Sequence, residues 1–235
     1  MPTYQEALNV EAVLRSVRDA LPTATVLVVD DNSPDGTADI VEKVGAEVGG
    51  IEVLRRPGKH GLGVAYRSGF EWALARGARC IVQMDSDGSH DAAVLQELVA
   101  AVAYGADLAI GSRYVPGGRI PLWSWPRRLL SRWGNRYVAL ALGLAVNDST
   151  SGFRAFDADL VRELASGGRA DGYGFQIELT YRTVRLDARV VEVPIVFSDR
   201  SFGESKMSGR IVAEAFALVT LWGARDAITG RRRAH

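Results

Sequence analysis

The sequence predicts an α/β domain with a mainly parallel sheet flanked by helices, and three observations carry that expectation. Short β-rich runs alternate with segments of helical periodicity along most of the chain. Across 235 residues, 47% are hydrophobic, enough for a substantial core, and 24% are charged, which argues against disorder. Three of the strand-like runs also end in chemically loaded residues: Asp30-Asp31-Asn32-Ser33, Asp85-Ser86-Asp87 and Gly111-Ser112-Arg113-Tyr114. In sheets of this class ligands bind beyond the carboxyl ends of the strands. Carboxylates at two ends and an arginine at a third describe a cleft for a metal and a phosphorylated ligand.

Taken in order, Glu6–Leu21 places Val10, Val13, Leu14 and Val17 at helical spacing. Thr25–Asp30 reads as a strand, Thr37–Val48 as a helix and Ile51–Arg55 as a strand. Leu62–Arg76 repeats the helical pattern, followed by a strand at Arg79–Asp85 and a helix at Asp91–Tyr104. Asp107–Ser112 and Phe153–Phe156 are strand-like, a helix is expected near Gly172–Leu186, and a strand at Arg189–Phe197. No internal repeat or low-complexity tract interrupts the series. The expected organisation is a catalytic domain over 1–205 and a C-terminal amphipathic helix with a basic tail over 206–235.

Net charge is zero, so no global basic field points to nucleic acid. A single cysteine, Cys80, excludes a disulfide scaffold or zinc cluster, and His60, His90 and His235 are too scattered for a histidine metal site. The sequence shows no signal peptide and no run long enough to span a bilayer. Its most apolar segments, Tyr137–Val146 and Ile211–Gly223, are short, and the second contains Glu214. The expected location is cytoplasmic, peripheral on the inner face of a membrane.

From Leu108 to Asn147 there is no acidic residue, while Arg113, Arg119, Arg127, Arg128, Arg132 and Arg136 are interleaved with Trp123, Trp125, Trp133 and Tyr137. That pattern suits an anionic membrane interface or an amphiphilic anionic substrate. The plain alternative is a solvated basic helix with its tryptophans packed inward. A stripe of Val212, Ala215, Phe216, Val219 and Trp222, flanked by Arg210, Arg225 and Arg231–Arg233, repeats the theme.

Asp85 and Asp87 stand one residue apart where an apolar strand ends. In extended backbone their side chains point the same way, which is costly unless a cation lies between them. Hard oxygen ligands suit magnesium or manganese. Two other readings compete: a solvated turn or helix N-cap, and a haloacid-dehalogenase-type phosphatase, whose nucleophile motif Asp85-Ser86-Asp87-Gly88-Ser89 superficially mimics. The phosphatase motif sits near the start of its domain, whereas here strand- and helix-patterned segments from Glu6 to Arg76 precede it.

Pro2-Thr3-Tyr4-Gln5-Glu6, Val28-Val29-Asp30-Asp31-Asn32-Ser33-Pro34-Asp35-Gly36-Thr37 and Met84-Asp85-Ser86-Asp87 resemble the family 2 glycosyltransferases. Gly111-Ser112-Arg113-Tyr114, Ser151-Gly152-Phe153-Arg154 and Gly203-Glu204-Ser205-Lys206 narrow the resemblance to the polyprenol (dolichol) monophosphate mannose synthases. The resemblance implies a GT-A fold, a GDP-mannose donor, a polyprenyl phosphate acceptor, inversion at the anomeric carbon and a magnesium or manganese ion. It implies that Pro2, Tyr4, Glu6, Asp30 and Asp31 form the nucleotide pocket, with Asp31 the better base contact and Asp30 bracing its loop. Separately, Lys59 with Gly61 and Gly63 opens the next helix in a pattern that suits an anion or a base edge of the same nucleotide. Asp85 and Asp87 would hold the metal, and Arg113 the acceptor phosphate or donor diphosphate. Ser151 and Arg154 would form a second phosphate contact, Arg200 and Lys206 a cationic loop closing on the nucleotide, and Gln176 and Glu178 the sugar pocket.

Each assignment has a plainer counterpart. The Asp30 loop is rich in turn formers, Arg113 could form only an ion pair, and Arg200 and Lys206 could belong to a basic loop with no ligand. Gln176 or Glu178 could be an ordinary helix-face residue. Family members carry a strand immediately before the Pro-Thr-Tyr segment, and here Met1 directly precedes Pro2. The expectation is a first strand missing or cut off, through a misplaced start or a truncated chain. Membrane contact would come through the tryptophan/arginine segment and C-terminal helix, or through a membrane-protein partner. Rival functions are the same lipid-phosphate transfer with UDP-glucose or another nucleotide sugar, and a non-catalytic membrane scaffold of the same fold.

Overall fold

A computed structural model describes residues 1–165, 172–199 and 209–229. The first strand position is occupied by a stub, β1 (Pro2–Thr3), which runs parallel to β2 (Val26–Asp30) with Thr3 opposite Asp30. The Met1 carbonyl extends this ladder by accepting from Val29 N. α1 (Val10–Ala20) forms between them because its apolar residues recur on one face, and Val10, Val13, Leu14 and Val17 are all buried. α2 (Thr37–Val48) follows Gly36, whose φ of +80° completes the Asp-Gly turn that a side chain would strain. β3 (Ile51–Arg55), α3 (Leu62–Ala75) and β4 (Cys80–Gln83) come next. A 3-10 turn at Ala92–Val94, capped by Asp91, leads into α4 (Leu95–Ala103) and then β5 (Leu108–Ser112).

The second half departs further from the periodicity. α5 spans Trp125–Leu142, starting at a proline in its first turn and ending at Gly143 with φ +63°. Its mixture of arginines and tryptophans hides an apolar stripe, so only its last turns read as apolar in sequence. β6 (Arg154–Asp157) passes straight into α6 (Ala158–Ala165), a short helix that the strand signal obscured. α7 (Gly172–Arg185), β7 (Val190–Pro194) and α8 (Gly209–Thr229) complete the described chain.

The described strands form two sheets, β1-β2-β3 and β4-β6-β5-β7. β1/β2, β2/β3 and β5/β7 are parallel, whereas β6 runs antiparallel to both of its neighbours. One core lies under both sheets, joining Val26 and Val28 to Met84, Ala109, Phe153 and Val193 beneath α1, α2 and α4. On the opposite side Tyr66, Phe70, Phe156, Leu160 and Phe175 fill the space between sheet and α3, α6 and α7. α5 and α8 make a third cluster with α7, through Val138, Leu142, Ile177 and Val219.

Phe156 is fully buried and meets the Phe70 ring edge-on at 5.5 Å. Phe156→Ala is expected to lower the unfolding free energy by about 3–5 kcal/mol. The check is a urea titration, where the midpoint should fall at unchanged slope.

Candidate active site

The carboxyl ends of β1 and β2 carry the first group of predicted residues. Asp30 is buried, and its Oδ1 accepts from Thr3 Oγ1 (2.9 Å) and Ser33 Oγ (2.6 Å) while Oδ2 accepts from Ser33 N (2.8 Å). Its role is therefore to close the loop, which turns through Asn32 at φ +58°. Asp31 points elsewhere, into an ion pair with Arg56 Nη1 at 2.6 Å, both side chains 8% exposed. Burial raises the Asp31 carboxyl above its ordinary value, and Asp30 adds to this, against the opposing charge of Arg56. The Lys59 ammonium stands 4.3 Å over the Tyr4 ring, bringing two predicted nucleotide residues together. Glu6 is buried where β1, α1 and α2 meet: its amide donates to Thr37 Oγ1, and its carboxylate accepts from Asn9 Nδ2. Pro2 reaches the acidic turn through its carbonyl, which accepts from Ser86 Oγ at 2.9 Å.

The acidic turn does not follow the extended path assumed for it. β4 ends at Gln83, and the chain bends from Ser86 through Gly88, whose φ is +77°. Strand alternation therefore does not set the relation of Asp85 to Asp87. Asp87 Oδ1 accepts from Ser89 N at 3.0 Å, which holds the bend. Asp85 Oδ1 accepts from the Tyr66 hydroxyl at 2.9 Å, and its Oδ2 lies 3.4 Å from His90 Nε2. Burial opposes ionisation of Asp85, yet the neighbouring His90 and the Tyr66 hydroxyl outweigh it and hold the carboxyl below its ordinary range. Neither Tyr66 nor the pairing of His90 was legible in the sequence, because both sit in ordinary apolar-periodic or turn contexts.

Two neighbouring carboxylates fit a hard divalent cation. Among the described residues no group of three or more His, Cys, Asp or Glu could hold a metal by itself. An ion here would complete its shell with ligand and water oxygens.

At the end of β5, Arg113 turns inward. Its Nε and Nη2 donate to the two oxygens of Asp148, each at 2.7 Å, and its amide donates to the same carboxylate at 3.0 Å. Nη2 also reaches Thr150 Oγ1 at 2.8 Å. Asp148 is fully buried; burial works against its charge, but the Arg113 charge and hydrogen bonds prevail and lower its pKa. The sequence did contain a trace of this partner: Asp148 is the first acidic residue after the arginine-rich run. Asn135 of α5 ties in by donating to Thr150 Oγ1 (3.2 Å) and accepting from Ser149 Oγ (3.1 Å). Three guanidinium groups converge on two rings: Arg113 and Arg132 on Tyr114, Arg113 and Arg127 on Trp123.

Ser151 and Arg154 are placed inside the frame rather than on a ligand-facing surface. Ser151 Oγ donates to Gly111 O at 2.6 Å. Arg154 is completely buried and donates to three carbonyls, those of Ser151, Gln176 and Ser149. Burial brings its pKa down to about 10, which still leaves it charged at neutral pH. Gln176 and Glu178 lie two positions apart on α7, so they leave its axis about 200° apart and do not share one face. Gln176 is the buried one, its carbonyl accepting from Arg154. Arg200 and Lys206 lie outside the described residues.

Comparison with known proteins gives a consistent picture. The family described as "Glycosyl transferase family 2" matches residues 1–165. The chain is 49% identical to an undecaprenyl-phosphate mannosyltransferase of Micrococcus luteus, over 95% of this chain and 92% of that protein. It is 44% identical to a polyprenol monophosphomannose synthase of Mycolicibacterium smegmatis, over 99% and 88% respectively. Among solved structures, glucosyl-3-phosphoglycerate synthase from Mycobacterium tuberculosis shares the fold with a TM-score of 0.69 at 21% identity, covering 95% of this chain and 78% of that one. The common architecture is GT-A.

The Arg113–Asp148 pair sets a testable pH dependence. A depressed aspartate pKa contributes stability above the unfolded value near 3.9, lost as pH falls through the folded value. Asp148→Asn is expected to cost about 3–5 kcal/mol at pH 7. In parallel denaturant titrations, its deficit relative to the parent should shrink as pH drops below about 4.

Proposed function

The chain belongs to glycosyl transferase family 2 and is a glycosyltransferase, and from that premise we propose that it moves mannose from GDP-mannose to the phosphate of a polyprenyl phosphate. The carrying observation is the near full-length identity, 49% and 44%, to two proteins named for mannose transfer to polyprenyl phosphates. The placement of carboxylates and arginines at neighbouring strand ends supports it.

In this reading Tyr4, Glu6, Asp31 and Lys59 receive the nucleotide, with Pro2 and Asp30 shaping the loops behind them. Asp85 and Asp87 hold Mg2+ or Mn2+, which when bound offsets the charge of the departing diphosphate. Arg113 is oriented by Asp148 in advance of binding and, with Arg127 and Arg132 around Tyr114 and Trp123, receives the acceptor phosphate. A phosphate oxygen attacks C1 of the sugar from the side opposite GDP; the new C1–O bond forms as the bond to the diphosphate breaks. The acceptor phosphate is already largely anionic near neutral pH, so no side-chain base is required, and rate enhancement rests on alignment and charge stabilisation. Arg200 and Lys206 would add positive charge over the diphosphate. Ser151 and Arg154 are assigned to the frame of the acceptor loop; Gln176 and Glu178, on opposite sides of α7, do not line one sugar pocket together.

Lipid access fits the outer faces of α5 and α8. No described helix is long and apolar enough to cross a membrane. Trp125, Leu129, Leu130 and Trp133 on α5 are each more than half exposed, as are Leu221 and Ile228 on α8. Tyr137 and Trp133 pack on Phe216 to join the two helices. Apolar side chains among arginines suit docking on the cytosolic face of an anionic membrane, with or without a membrane-protein partner.

Labelled GDP-mannose, UDP-glucose and UDP-GlcNAc, each offered with polyprenyl phosphate, test the transfer. Label should enter the lipid phase from GDP-mannose alone and stop with EDTA. Lipid label from a uridine donor instead, or transfer indifferent to chelator, would overturn the reading. Asp87→Asn should reduce transfer by 10²–10³-fold or more while GDP still binds without metal. Vesicles rich in anionic lipid should sediment the protein at low salt and release it at high salt, and Trp125→Ala with Trp133→Ala should weaken that sedimentation.

A further inference from the structure

We propose that Tyr66 and Gly152 are positioning residues that set the orientation of the Asp85 carboxylate for the divalent cation. This rests on the reading of Asp85 as a ligand of that ion. Beyond Gln83 the acidic turn has left the β-ladder, so backbone pairing does not fix the Asp85 side chain. The side chain is instead enclosed on three sides. Tyr66 donates to Oδ1 at 2.9 Å, and His90 faces Oδ2 at 3.4 Å. On the third side stands the Gly152 backbone, where a Cβ would come within 2.9 Å of Oδ2, 3.2 Å of Oδ1 and 3.3 Å of Cγ.

Each wall is rigid. The Tyr66 ring is buried and stacks on Phe175, centroids 5.7 Å apart and planes 2° from parallel. Its hydroxyl, held by that stack, is the donor of the bond to Asp85 Oδ1. The His90 ring stacks on Phe153 at 4.8 Å and meets Phe197 edge-on at 5.5 Å. The Gly152 carbonyl accepts from Gln83 Nε2 at 3.2 Å, and the preceding Ser151 is tied to Gly111 O.

Gly152 is not among the glycines with positive φ. The three atoms nearest to a Cβ at this position all belong to the Asp85 carboxylate. Between a braced loop and the free end of a short side chain, the carboxylate is what would move. Such outer partners of metal ligands commonly change metal affinity by 10–100-fold when altered.

The experiment measures Mn2+ binding by electron paramagnetic resonance of the free ion, with GDP present, beside thermal melts of each variant. Parent, Tyr66→Phe, Gly152→Ala and Asp85→Ala are compared, and the first two substitutions are repeated in the Asp85→Ala background. Tyr66→Phe and Gly152→Ala are each expected to weaken Mn2+ by 10–100-fold and to have no further effect once Asp85 is gone. Unchanged affinity in both single variants overturns the proposal. An equal loss in the Asp85→Ala background also overturns it, because the residues would then act by another route. If Gly152→Ala fails to fold, Tyr66→Phe, which keeps the ring stack, decides alone. A parent that binds no Mn2+ with GDP, or an Asp85→Ala variant that binds it as well as the parent, would instead refute the assignment of Asp85 as a ligand.

Discussion

β6 runs backwards between β4 and β5, and the geometry of the site follows from that single reversal. An antiparallel strand enters its sheet at the end where parallel neighbours leave theirs. The residues that lead into β6, Asp148 to Phe153, are therefore delivered between the carboxyl ends of β4 and β5. Gln83, Arg154 and Ile110 stand in register across the three strands. From this position Asp148 grips Arg113 on one side, and Gly152 abuts Asp85 on the other. Arg154 sits beneath, binding three carbonyls of the surrounding backbone. A parallel β6 in the same place would have brought that segment in at the amino ends of β4 and β5, away from the loaded strand ends.

The charges divide into two populations. Asp31 with Arg56 and Asp148 with Arg113 are buried pairs, while Arg154 spends its donors on carbonyl dipoles. Buried pairs gain little net stability over apolar packing, but losing one partner strands the other in low dielectric. Their service here is geometric, since a bidentate guanidinium–carboxylate contact fixes orientation as well as distance. The second population, at the acidic turn and along α5, is more open. Asp85, facing His90, retains 38% side-chain exposure, and Arg127, in a surface pair with Asp199 at 3.3 Å, retains 41%. Fixed pairs below and accessible charges above give a site whose electrostatics are arranged before any ligand arrives.

α5 belongs to both parts of this arrangement. Through Asn135 it joins the hydrogen-bond group around Thr150 and Ser149, and through Trp125, Leu129 and Trp133 it presents apolar surface outward. Asn135 and Val138 face in while Trp125 and Leu140 face out, so one helix connects an exposed apolar face to the loop that holds Arg113. The tryptophans are not all packed inward, as the plain reading of that segment had it: Trp123 is buried, and Trp125 and Trp133 are not.

Much of the architecture was legible from local pattern. Thr37–Val48 and Ile51–Arg55 have the same limits in sequence and structure, because their apolar spacing and flanking glycines act within a few residues. α6 and the start of α5 were not legible, one masked by the strand it continues and the other by its arginines. The motifs around Asp30, Asp85, Gly111 and Ser151 identified the family, since residue type and local order are properties of the chain alone. Direction, pairing and burial are not: Arg154 looks like a phosphate contact in sequence and lies fully enclosed in the fold. Asp148 with Arg113, and Tyr66 and Gly152 with Asp85, meet across 35, 19 and 67 residues. Local chemistry thus determined which strand ends would carry charge. Only the packing of a reversed strand between two parallel ones decided which charges are locked in buried pairs and which lie nearer the surface, because that depends on contacts between segments remote along the chain.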